Sequence, residues 1–154
     1  MAGQIESKLA ALGITLPAAP APVANYVPYT ISGNLLIISG QIPLVDGKVA
    51  CTGKLGAGVS NEAAKEAART CVINVLAQAK AALGDLDRVT KVLRLGGFMA
   101  CAPEFTQHAA VMNGASDFAV EVFGDKGRHA RSTIGVPSLP MDATVEVEAM
   151  FEFA

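Results

Sequence analysis

The chain is 154 residues long, 51% apolar and 17% charged, with a formal net charge of -2. That length fits one core-bearing domain, and that balance excludes a disordered chain. The acidic balance, with no cluster of Lys and Arg, excludes an association driven by phosphate contacts, and no apolar run reaches the roughly 18 residues of a membrane span.

In chain order, "QIESKLAALGI" predicts a short helix with Ile5, Leu9 and Leu12 on one side, ended by Gly13. Its charges interrupt any signal-peptide apolar region, so a cytoplasmic setting is expected. "LPAAPAPVANYVP" is an Ala/Pro arm, extended and laid over the domain. Residues 1–24 are therefore read as helix and arm, and 25–154 as the domain. "YTISGNLLIISGQIP" predicts two strands turned at Ser32-Gly33-Asn34, and Asp46-Gly47 marks a second tight turn. The glycine-rich loop that follows lacks the Lys-Ser/Thr ending of a phosphate cradle and reads as an ordinary mobile loop.

The clearest helix runs from Asn61 to about Leu83, with Ala64, Ala68, Cys71, Val75 and Ala79 at helical spacing and Gly84 as its stop. "RVTKVLRLGGFMA" is the next strand, in which Gly96-Gly97 marks a bulge or a close backbone approach. Pro103 opens a second helical region, interrupted at Asn113-Gly114 and resumed in "ASDFAVEVFG". "STIGV" and "ATVEVEAMFEF" are the closing strands. The order β-β-(β)-α-β-α-β-β is an α+β sandwich with two helices over one face of a sheet. Rich in Ala and Val and without Trp, the other face is expected to be covered by neighbouring subunits.

Along the last strand, Val145, Val147, Ala149, Phe151 and Phe153 point one way, and Glu146, Glu148, Met150 and Glu152 the other. Taken alone, these acids are a solvated strand face and Arg131 is a surface arginine. His108 reads as a helix-surface residue and His129 as a loop residue, neither with a partner at metal or triad spacing. Cys51, Cys71 and Cys101 are odd in number, lack metal-like spacing and read as reduced packing thiols. No Ser-His-Asp or Cys-His constellation is evident, and no cofactor or metal is expected.

"NLLIISGQIP" and "HARSTIGVPSLPMDATVEVEA" together change that reading. From about Asn25 to the C-terminus the chain resembles the RidA family, also called YjgF/YER057c/UK114, as a divergent branch with an N-terminal helix and Ala/Pro arm. The resemblance implies a chorismate-mutase-like α+β fold, a homotrimer with three clefts between subunits, and hydrolysis of reactive 2-imino and 2-enamino acids such as 2-aminoacrylate to 2-keto acids and ammonia. It assigns the substrate carboxylate to Arg131 and the attacking water to Glu146, and it places Tyr26, Ser39 and Asn113 in the cleft. Thr133 stands where the deaminases carry Cys, which alters the pocket wall. The implied thiol is not a covalent nucleophile, so its loss need not abolish the chemistry.

That chemistry suits these residue types. A planar guanidinium matches a carboxylate bidentately, a carboxylate can accept a proton from water, and a protonated imine is electrophilic without a metal. The alternative is a non-catalytic binder of 2-keto-acid-like ligands in the same cleft, since a fold does not fix an activity. Ribonuclease or translation inhibition, which the family also implies, fits the acidic balance least.

Overall fold

The computed structural model describes residues 2–19 and 25–154; the Ala/Pro arm expected ahead of Asn25 therefore lies partly outside the described residues. Nine strands and three α-helices follow one another as α1 (Gln4–Ala11), β1 (Tyr29–Ser32), β2 (Leu35–Gln41), β3 (Leu44–Val45), β4 (Lys48–Val49), β5 (Lys54–Leu55), β6 (Gly58–Val59), α2 (Asn61–Leu83), β7 (Val89–Ala100), α3 (His108–Phe123), β8 (Ala130–Val136) and β9 (Val145–Phe153) among the described residues. Five strands form one sheet in the order β1-β2-β9-β7-β8. Its pairings are antiparallel except β7 with β8, which run parallel on either side of α3. The predicted turns are present: Gly33 joins β1 to β2, and Asp46 and Gly47, both at positive φ, join β3 to β4.

α2 begins where Ser60 caps it, its hydroxyl accepting from the Ala63 N–H at 3.1 Å, and it stops at Gly84, which takes φ 77°. Its buried stripe, including Ala64, Ala68, Cys71, Val75 and Ala79, is the one read from the sequence. Together with Val111, Met112, Ala115 and Phe118 of α3, it packs on Leu36, Ile38, Val92, Leu95, Met99, Val145, Val147 and Phe151 of the sheet. α1 joins the same core through Leu9, and its first turn is capped by Asp87, whose carboxylate accepts from the N–H groups of Gln4 and Ile5 at 2.7 and 2.8 Å. Among the described residues no helix lies on the opposite sheet face. Register places Phe98 beside both Glu146 and Ile134, and Gly96 beside Glu148 and Ser132, on that bare side, where Ile37 and Ile134 are exposed.

Two local expectations need correction. α3 is not interrupted at Asn113-Gly114 but runs unbroken from His108 to Phe123. Gly114 serves another purpose, because a Cβ there would collide with the Lys65 carbonyl of α2. The two helices cross at backbone contact, and only glycine permits it. Gly96-Gly97 is likewise not a bulge, since β7 shifts register earlier, between Val89 and Lys91 and between Val92 and Arg94. At Gly96 and Gly97 the missing side chains leave room for Glu148 on one face and Met112 on the other.

Alanine is the better helix former by roughly 1 kcal/mol, yet overpacking a tight contact costs about 1–3 kcal/mol. Gly114→Ala is therefore expected to lower stability in urea denaturation despite its helix propensity. An unchanged or raised midpoint would show that the crossing can relax.

Candidate functional site

Among the described residues β8 is an edge strand, bonded only to β7, and its parallel register sets where its side chains go. Arg131 lies beside Leu95, Thr133 beside Gly97 and Gly135 beside Met99, so all three face α3. Arg131 is bound across two turns of that helix. One terminal nitrogen donates to Asn113 Oδ1 at 2.8 Å and Ser116 Oγ at 3.0 Å, and the other donates to the Ala109 carbonyl at 3.3 Å. Ala109, Asn113 and Ser116 are spaced four and three residues apart, which puts them on one helical stripe.

His129 completes this group. Its Nδ1 lies 2.6 Å from the Gly127 carbonyl and its Nε2 2.8 Å from Ser116 Oγ. A carbonyl only accepts, so Nδ1 carries a proton, while Nε2 and the Ser116 hydroxyl share the second bond. The serine oxygen then accepts from Arg131. The result is a chain of bonds from Gly127 through His129 and Ser116 to the guanidinium. Thr133 Oγ1 faces the Met99 sulfur at 3.8 Å, against an apolar wall.

The other expected residues lie elsewhere. Glu146 is on the bare face, half-buried, with its carboxyl over Gly40, where an added Cβ would strike it. Gly40 falls in the irregularity of β2, between Ile38 and Gln41. Next to it, the Ser39 hydroxyl donates to the Val27 carbonyl at 2.7 Å, and the Ser39 N–H donates to the Pro28 carbonyl at 2.9 Å. Ser39 thereby holds the segment ahead of β1 that carries Tyr26, which is exposed. Burial pushes the Glu146 carboxyl up from its ordinary range, and the neighbouring Glu148 adds to this. Arg131 is not among the causes, since the two residues face opposite sides of the sheet with β7 between them.

One chain therefore gathers Arg131, Asn113 and Thr133 in one group and Tyr26, Ser39 and Glu146 in another. Ser116 was not singled out from sequence, and His129 was read only as a loop residue without a partner. His129 does stand two residues before Arg131, the spacing of one strand face, but Ser116 enters only once α3 docks. Cys101 and His108, read as unrelated, are also in contact, Sγ to Nε2 at 3.6 Å. Among the described residues no group of three or more His, Cys, Asp or Glu could hold a metal ion, and no helix is long and apolar enough to cross a membrane.

A family model described as "YjgF/chorismate mutase-like, putative endoribonuclease" matches residues 6–153. Protein TCP17 of Trypanosoma cruzi is 48% identical over 151 residues, covering 97% of this chain and 94% of its own. The crystal structure of Atu1372 from Agrobacterium tumefaciens is 50% identical with a TM-score of 0.92, covering 97% of this chain and 92% of that one. A structure named as a putative endoribonuclease from Shewanella oneidensis is 36% identical with a TM-score of 0.94, covering 98% of this chain and all of its own.

A carboxyl whose native pKa is raised binds its proton more tightly folded than unfolded. It costs stability above its native pKa, and the cost disappears below the unfolded value of about 4.3. Glu146→Gln removes that cost. Its melting temperature should exceed the wild type's at pH 7 and converge with it by about pH 4. A difference independent of pH would contradict the burial of this carboxylate.

Proposed function

The chain belongs to the YjgF/chorismate mutase-like family, and from that premise we propose that it hydrolyses reactive 2-imino and 2-enamino acids to 2-keto acids and ammonia. The observation that carries this reading is the state of Arg131. A guanidinium has five N–H donors, and three are engaged by Asn113, Ser116 and Ala109. Two donors remain among the described residues, enough for one bidentate carboxylate, on a side chain already held in place. The His129–Ser116 chain supports that orientation from behind.

The substrate's carboxylate lies on Arg131. An enamine first takes up a proton at its terminal carbon to become the imine. Water then adds to the imine carbon, Glu146 accepts its proton and returns it to the adduct's nitrogen, and ammonia leaves as the hydroxyl gives up its proton to close the carbonyl. A carboxyl raised by burial holds that proton more readily than an exposed one would. Because Arg131 and Glu146 face opposite sides of one sheet, the site is completed between copies. Arg131, Asn113 and Thr133 come from one subunit, and Tyr26, Ser39 and Glu146 from the next. A homotrimer closes such a heterologous contact and covers Ile37 and Ile134 on the bare face.

Thr133 supports a second reading. With a hydroxyl where the deaminases have a thiol, the same cleft could hold a 2-keto acid without turnover. RNA cleavage, which the names of relatives point to, fits less well, because a net charge of -2 offers no basic track.

The test supplies 2-aminoacrylate from a serine dehydratase and follows pyruvate release. The wild type should accelerate it, and Arg131→Ala should lose about 100-fold in kcat/KM, on the order of 3 kcal/mol for a charge-assisted pair. Arg131→Lys should recover little, since an ammonium lacks the fork. Saturable binding of pyruvate without acceleration would favour the binder; acceleration unaffected by Arg131→Ala would refute both assignments to this cleft.

A further inference from the structure

The end of β7 and the start of α3 bring a thiol and an imidazole together beside Gly135, four residues along β8 from Arg131. Cys101 Sγ lies 3.6 Å from His108 Nε2. Both residues line a cavity of about 680 Å³ whose walls also include Lys54, Pro103, Phe105 and Pro137. Gly135 of β8 keeps the pair open. A Cβ there would stand 2.5 Å from the sulfur and 2.7 Å from the imidazole nitrogen. The Phe105 ring meets the His108 ring edge-on with centroids 5.1 Å apart, which fixes the imidazole plane.

The other two cysteines lack this setting. The Cys51 thiol donates to the Thr144 hydroxyl at 3.4 Å, and Cys71 is fully enclosed, its thiol pushed up by burial. A thiol attacks as thiolate, so a base in contact with it is the arrangement that makes it a nucleophile.

We propose that Cys101 and His108 form a second reactive site that captures small α,β-unsaturated carbonyl compounds covalently. His108 Nε2 takes the proton from Cys101 Sγ. The sulfur electron pair forms a bond to the β-carbon, and the displaced π pair moves onto the carbonyl oxygen as an enolate. His108 returns the proton to the α-carbon. The sum is addition of S–H across the C=C bond, with no leaving group and no oxidant. The apolar walls of Pro103, Phe105 and Pro137 suit the body of such a compound, and the Lys54 ammonium suits the enolate oxygen.

The test treats the full chain with limiting N-ethylmaleimide, and separately with methyl vinyl ketone, and maps the adducts by peptide mass spectrometry over time. Cys101 should be alkylated at least ~10-fold faster than Cys51, with Cys71 unreacted, and His108→Gln should slow Cys101 by ~10-fold or more, within what a positioned base supplies. The Cys51 rate, unchanged in that variant, reports that the fold is intact. Gly135→Ala should also slow Cys101 by crowding the pair. Arg131→Ala, which disables the proposed deaminase, should label at the wild-type rate. Labelling of Cys101 no faster than Cys51, or a Cys101 rate indifferent to His108→Gln, would overturn the proposal. Loss of labelling with Arg131→Ala would overturn its separateness.

Discussion

A side chain on a strand faces one side of its sheet, and that constraint orders the whole molecule. Parallel register with β7 commits Arg131 to the helix side, where Asn113 and Ser116 hold it, while antiparallel register commits Glu146 to the bare side. No rotamer brings the two together through the sheet. A chemistry that needs a carboxylate clamp and a proton acceptor at one substrate therefore needs a second copy of the chain, and the uncovered face with Ile37 and Ile134 is apolar surface that association would bury.

Glycines in the strands make this arrangement fit. Glycine weakens a strand, and its presence there marks a place where something approaches closely. Gly40 makes room for the Glu146 carboxyl, Gly96 for that of Glu148, Gly97 for Met112 and Gly135 for the Cys101–His108 pair. Glu146 and the Cys101–His108 pair thus each lie against a position where the chain has given up a side chain. Gly114 does the same for helix packing, bringing α3 against α2 so that Asn113 and Ser116 face β8.

What was legible from sequence followed from local periodicity. The two-residue alternation of β9, the helical stripe of α2 with its Gly84 stop and the turns at Gly33 and Asp46-Gly47 are all set by neighbours in the chain. α3 was misread because Asn113-Gly114 looks like a break when only local propensity is considered, whereas the Lys65 carbonyl decides it. Arg131 was singled out by its flanking motif. Its separation from Glu146 was not, because the segment between β8 and β9 hides the parity of the two strands. Ser116 and His108 became meaningful only when α3 packed beside β8 and the end of β7, a tertiary event with no local trace.

The central claim is that the site is shared between chains, and subunit complementation tests it most directly. Arg131→Ala and Glu146→Gln chains, each inactive alone, would be unfolded, mixed and refolded together, with mixed oligomers verified by native mass spectrometry. A shared site predicts recovery of pyruvate release in the mixture, because some interfaces then pair an intact Arg131 with an intact Glu146 from the adjacent chain. Mixed oligomers that stay as inactive as the parent variants would contradict it.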